Sequence, residues 1–260
     1  MVRAKTATLR IRKDNPSSTV RGPDEGIIKS KAYLYPSEFL ALMRCPRVPI
    51  RWRRLIAVNI YSYSRAGELE ALGLEDADTV HRVFHIHRSI DRSDDAKKET
   101  KTNNPRRFPM ESEIVRLVEV IVREGAAAPR LLTMPPLCDL APRLRQYLKW
   151  AGVTRAELFA NDATRKQITF HDLRATGITW MAIRGDEPMK MMRRAGHEDL
   201  ATTMGYVREA EALELLKEEV FPALPDELFS SGLSSEGPAH WANLREKFKK
   251  QRRPQRVFAR

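Results

Sequence analysis

Four side chains between Phe170 and Tyr206 are of types that handle a phosphate: His171, Arg174, His197 and Tyr206. Guanidinium and imidazole donors bind anionic oxygens, and a phenol becomes a nucleophile once its proton is removed. His171 and Arg174 stand three apart in HDLRATGITWMAIRG, which reads as a helix closed by Gly185, so both lie on one face, a turn apart. Asp186 restarts the chain as a second helix that Gly196 stops, because glycine readily takes the left-handed conformation of a helix end. His197 then leaves that end at a defined angle, and Tyr206 follows nine residues later, after a short helical segment.

A second group lies upstream. In YSYSRAGELEAL, Arg65 and Glu68 are three apart just beyond an apolar helix. Alone, the pair reads as a surface ion pair or as a guanidinium fixed by a carboxylate and aimed at an anion. KKETKTNNPRRFPM reads as a β-hairpin turning at Asn103-Asn104-Pro105, with Lys101 near the turn. VHRVFHIHRSI alternates as a strand, with Phe84 and Ile86 on one face and His85 and His87 on the other. Together with His81 these histidines resemble metal ligands, but no cysteine or well-placed acid completes a set, so no metal is assigned.

The elements that must position these groups follow from periodicity. Pro36-Ser37-Glu38 starts a helix that ends at Cys45-Pro46. A longer helix spans about Arg51 to Tyr63, with Leu55, Ile56, Ile60 and Tyr63 on its apolar stripe and Arg51, Arg53 and Arg54 outside. ESEIVRLVEVIVRE sets Ile114, Leu117, Val118, Ile121 and Val122 at helical spacing, and another helix runs from about Leu137 to Trp150, where Gly152 stops it. After Tyr206, residues 208–221 read as an acidic amphipathic helix with Leu213, Leu216 and Val220 on its apolar side.

The 260 residues carry 42% hydrophobic and 31% charged side chains, enough apolar material for a core. The net charge of +12 is concentrated at the ends: +4 within residues 1–30 and +7 within residues 239–260, leaving +1 between them. Such arms suit a polyanion or serve as solubilising tails. Cys45 and Cys138 form no framework and read as buried thiols in a reducing compartment. No apolar run reaches the length of a membrane span, and the first residues lack a signal segment, so a cytoplasmic, nucleoid-associated protein is expected.

In order and approximate spacing, Arg65, Lys101, His171, Arg174, His197 and Tyr206 resemble the catalytic set of the tyrosine recombinase (phage integrase) family. Four local patterns carry the resemblance: R-x-G-E, T-K-T-x-x-x-R-x-x-P, H-x-L-R, and G-H followed nine residues later by tyrosine. They lie within about Tyr33 to Phe221. Two departures stand out. Tyr63 replaces the glycine common two residues before the first arginine, and Ala195 replaces the usual leucine before Gly196-His197.

The resemblance implies an α+β fold, mostly helical with a small antiparallel sheet, over residues 31–222. A basic, largely disordered arm (1–30) and a linker with a basic tail (223–260) would flank it. It further implies that Arg65 and Arg174 clamp the phosphate oxygens, that His197 adds a donor, and that His171 assists the Tyr206 nucleophile. Lys101 would protonate the leaving 5′ oxygen. Glu68 and Asp172 would support Arg65 and the helix start. Neither cofactor nor metal is expected. The partners implied are double-stranded DNA and, on it, further copies of the chain, tetrameric in the family, with residues 208–221 as the contact. Family members usually carry an N-terminal helical clamp domain, and about thirty residues are too few for one. Two other readings stay open: a type IB topoisomerase that nicks and reseals, and a DNA-binding regulator that has lost catalysis.

Overall fold

The protein is described here by a computed structural model covering residues 32–91, 98–125, 129–211 and 220–230, with residues 98–104 followed as backbone only. Residues 1–31 and 231–260, which hold both basic arms, lie outside the described residues. Among the described residues, eight helices and a small sheet follow one another as α1 (Pro36–Arg44), α2 (Ile50–Ser62), α3 (Ala66–Ala71), β1 (Ala77–Asp78), β2 (Val83–Asp91), β3 (Lys98–Pro109), α4 (Ser112–Glu124), α5 (Leu137–Trp150), α6 (His171–Arg184), α7 (Pro188–Ala195) and α8 (Leu200–Glu211). The three strands are antiparallel in the order β1-β2-β3. This is the expected α+β class, mostly helical with a small antiparallel sheet.

Helices α2 and α6 form the centre, and each is buried along nearly its whole length. They approach closely because Gly177 has no side chain: a Cβ there would lie 2.1 Å from the Ile60 carbonyl oxygen. Around them Phe39, Tyr61, Trp180 and Phe221 pack edge to face, with ring centroids 5.4–6.2 Å apart. Such aromatic pairs contribute about 0.5–1.5 kcal/mol each beyond the area they bury. Their polar tips are satisfied inside, Trp180 Nε1 donating to the Leu34 carbonyl (2.9 Å) and the Tyr61 hydroxyl to the Pro222 carbonyl (2.7 Å). The first and last described segments are thereby tied to the same core.

Several sequence expectations are corrected. Arg53 and Arg54 do not sit outside α2. Both are buried, Arg53 donating to the Met43 carbonyl and Arg54 to Glu124 and the carbonyls of Leu228 and Ser230. The apolar stripe located one buried face, but residues 220–230 return across α2 and cover the other. Asn103-Asn104-Pro105 is not a hairpin turn. β3 runs through it and pairs with β2 on both sides, Ile86 facing Arg106 and Arg88 facing Lys101, so residues 102–105 stand opposite His87 alone. The turn-forming residues are absorbed as a bulge. Cys138 is exposed near the start of α5, whereas Cys45 is buried as expected. Tyr206 lies within α8 rather than after a helix.

Of the 208–221 segment, residues 212–219, including Leu213 and Leu216, lie outside the described residues. Val220 and Phe221 are not helical, and Val220 is buried in this chain's own core. Among the described residues no helix is long and apolar enough to cross a membrane.

Alanine ordinarily stabilises a helix interior by about 1 kcal/mol over glycine. The contact at Ile60 reverses that sign, so Gly177→Ala is expected to destabilise the protein by about 1–3 kcal/mol through overpacking. The shift of the urea-unfolding midpoint measures it.

Candidate active site

One carboxylate gathers the site. Helix α2 ends at Tyr63 in the left-handed conformation (φ 54°, ψ 25°), and two residues later Arg65 caps α3. Glu68, in the first turn of α3, accepts the Arg65 backbone N–H at 2.8 Å, and this capping bond fixes the carboxylate. The same group accepts Arg65 Nη1 at 3.0 Å and a two-pronged bond from Arg106, at 3.1 and 2.8 Å. Arg174 Nη1 lies 3.8 Å from it. Three guanidinium groups thus surround one carboxylate that is 1% exposed.

A single carboxylate leaves such a cluster with excess positive charge, and the end of α7 offsets part of it. Three consecutive carbonyls there each accept one of the three arginines. Arg194 O accepts Arg106 Nε at 2.8 Å, Ala195 O accepts Arg174 Nη2 at 2.7 Å, and Gly196 O accepts Arg65 Nη2 at 3.4 Å. Helix C-terminal carbonyls carry partial negative charge, so they suit cations. Gly196 permits the arrangement twice over: its φ is +68°, and a Cβ would lie 2.9 Å from Arg106 Nη1.

The charges show in the ionisation of the group. Burial pushes the Glu68 carboxyl up, but Arg106, the Arg65 backbone N–H and Arg174 together overcome it and hold it at about 2. Arg174, 3% exposed, is lowered to about 10 by burial and then by Arg65. Its Nη1 also donates to the Tyr63 carbonyl at 2.6 Å.

Directly after Gly196, His197 is buried, and its Nδ1 lies 2.9 Å from Thr203 Oγ1. Its ring lies nearly parallel to that of Tyr206, with centroids 5.9 Å apart and planes at 14°. Tyr206 is 5% exposed, and burial raises its phenol pKa while Arg174 pulls it down. His171 opens α6 on the solvent side, with its pKa lowered by desolvation and then by Arg174. Asp172 holds that helix start, accepting Thr169 N and Thr169 Oγ1, each at 2.7 Å, and Lys166 Nζ at 2.9 Å.

Arg65, Glu68, Arg174, His197 and Tyr206 are therefore brought together, with His171 and Asp172 at the start of the helix that carries Arg174. Lys101 sits on β3 opposite Arg88, and its side chain is outside the described residues.

Two participants were missed by the sequence reading. Arg106 lies in the T-K-T-x-x-x-R-x-x-P pattern, and its two-residue spacing from buried Phe108 is the signal that it points inward. Tyr63 is the other. Its buried hydroxyl donates to Glu111 at 2.7 Å, and Glu111 is also bonded to Arg184 and Arg194. The left-handed backbone that glycine would adopt freely is here held by a packed ring and a buried hydrogen bond.

On the other side of the sheet, contrary to expectation, an acid does stand with two of the three histidines, His85 and His87, while His81 pairs with Asp78. Asp76 Oδ1 lies 2.8 Å from His87 Nε2, and His87 stacks on His85. That carboxylate also accepts the Gly73 N–H and Arg88, so its oxygens are engaged within the protein.

Residues 32–212 match the sequence model of the phage integrase family. Among solved structures, the chain resembles the Tn1549 transposon integrase bound to a circular-intermediate DNA, with a TM-score of 0.57 and 19% identity over 83% of this chain and 75% of that one. It also resembles XerA recombinase, with a TM-score of 0.52 and 19% identity over 87% of this chain and 67% of that one. At these identities the structural likeness is one of fold. No curated protein matches the chain in sequence.

Glu68 is held below the ordinary 4.5 in the folded state, so its contribution to stability is complete above pH 4.5 and is lost as pH falls toward 2. Glu68→Gln leaves the arginines uncompensated and is expected to cost about 3–5 kcal/mol at neutral pH. It should also flatten the acid limb between pH 4.5 and 2, which urea unfolding followed against pH tests directly.

Proposed function

This chain belongs to the phage integrase family, and on that premise we propose that Tyr206 cuts DNA by forming a 3′-phosphotyrosyl link, which a second strand then reverses. The protein is a site-specific DNA recombinase. The observation that carries the chemical reading is the set of guanidinium groups around Glu68, immediately beside the stacked His197 and Tyr206.

The scissile phosphate enters beside Arg65, whose side chain is 44% exposed and the most open of the three. Arg65 and Arg174 bind its non-bridging oxygens and His197 adds a donor, so charge that builds on those oxygens during attack meets preplaced N–H groups. The Tyr206 oxygen attacks phosphorus as its proton passes to His171. The bond from phosphorus to the 5′ oxygen breaks, and Lys101 protonates that oxygen. His171 suits the role of base because its lowered pKa keeps the imidazole neutral at pH 7. Arg174, with Tyr206 inside its field, eases loss of a proton that burial makes harder. The phosphotyrosyl link conserves the energy of the broken bond, so resealing by a free 5′ hydroxyl needs no ATP.

The partner is double-stranded DNA, for which the basic stretches at residues 1–30 and 239–260 are suited by charge. In the working form several copies assemble on DNA. A contact through the segment after α8 would use Leu213 and Leu216, because Val220 is already buried within the chain.

On nicked or activated DNA, the parent is expected to form a denaturant-resistant adduct and Tyr206→Phe none. Adducts in both would move the nucleophile elsewhere. The cleavage rate should hold as pH is lowered through 6.5 and fall only below it, since His171 protonates below its ordinary value. A fall beginning above pH 6.5 would remove His171 from the role of base.

A further inference from the structure

We propose that Arg106 is a positioning residue for this reaction, setting the end of α7 and with it His197 and both phosphate clamps. The proposal rests on the phosphotyrosyl reading above for its consequence and on geometry for its cause. Arg106 lies on the inward side of β3 with its side chain 6% exposed. Its donors turn into the protein, two to Glu68 and Nε to the Arg194 carbonyl, so it does not meet the substrate. One planar guanidinium therefore joins the first turn of α3 to the last turn of α7.

Its leverage comes from what lies on either side. Glu68 is the carboxylate that holds Arg65, and the carbonyl following Arg194 O is the one that holds Arg174. The guanidinium also lies against Gly196, where a Cβ would come within 2.9 Å of Nη1, and Gly196 is the residue before His197. Removing Arg106 takes one hydrogen bond from each Glu68 oxygen, while the bonds from Arg65 stay. Arg174 Nη1, 3.8 Å away, is a nearby donor able to take that place, and the movement would loosen its bond to the Tyr63 carbonyl and draw Nη2 off the Ala195 carbonyl. The end of α7 would lose one of its three arginine bonds and shift toward another.

The test compares parent, Arg106→Met and Arg106→Lys in three measurements on the full chain: DNA affinity, single-turnover cleavage of nicked DNA, and the NMR resonances of the His197 ring without DNA. Misplacement of reacting groups by about 1 Å can lower a rate on the order of 100-fold. Arg106→Met should therefore lose roughly that much cleavage rate while its DNA affinity stays within about twofold, and its His197 resonances should move. Arg106→Lys keeps a charge for Glu68 but lacks the planar fork that spans both helices. It should fall between parent and Arg106→Met.

Parent-like cleavage in Arg106→Met overturns the proposal. If that variant does not fold, Arg106→Lys decides: a reduced rate at the parent's melting temperature supports the proposal, and an unchanged rate overturns it. A parent that forms no adduct would sink the phosphotyrosyl reading instead. The His197 resonances would then judge the positioning claim by themselves, and unmoved signals in Arg106→Met would overturn it.

Discussion

The site depends on holding three guanidinium groups side by side inside a protein. At close range in a poorly screened interior, like charges repel strongly, and one carboxylate cannot balance three. The protein uses two sources of negative potential at once. Glu68 lies at the first turn of one helix, and the carbonyls of Arg194, Ala195 and Gly196 form the last turn of another. The arginines bridge them. The same attraction that makes their burial tolerable therefore fixes where α3 begins relative to where α7 ends.

The remaining architecture serves that arrangement. The close crossing of α2 and α6 at Gly177 brings Tyr63, at the end of one helix, within reach of Arg174 on the other. Asp172 fastens the start of α6, so the helix bearing Arg174 is secured before it enters the cluster. Below these, the aromatic core of Phe39, Tyr61, Trp180 and Phe221 makes the two central helices a rigid base. Of the three arginines, the two that organise are buried, and the one most open to solvent is Arg65.

Much of this was legible in the sequence because helix ends are written locally. Gly185 and Gly196 close α6 and α7 as read, the apolar spacing of α4 marks its extent, and α5 spans the Leu137 to Trp150 expected of a helix that ends before Gly152. The resemblance of ordered motifs pointed to the residues that converge. What could not be read was non-local. Periodicity on α2 cannot reveal a second covering layer that arrives from residues 220–230, and by itself it puts Arg53 and Arg54 outside. Asn-Asn-Pro is a turn signal in isolation, and only pairing with β2 on both sides turns it into a bulge. Arg106 looked like one more basic residue in a basic segment until its partners on α3 and α7 were in place.

Tyr63 ties two parts of the site to one side chain. Its carbonyl steadies Arg174, while its hydroxyl joins Glu111 and through it Arg184 and Arg194. A chain with glycine at this position has an unstrained backbone and no need of a hydroxyl-accepting Glu111. Replacing the tyrosine by glycine alone opens a hole and leaves a carboxylate with one partner fewer. Altering Glu111 alone takes the acceptor of the Tyr63 hydroxyl and of Arg194 Nη1, while Arg184 keeps Asp186. The four side chains are therefore energetically coupled, and the cost of changing one depends on which of the others is present.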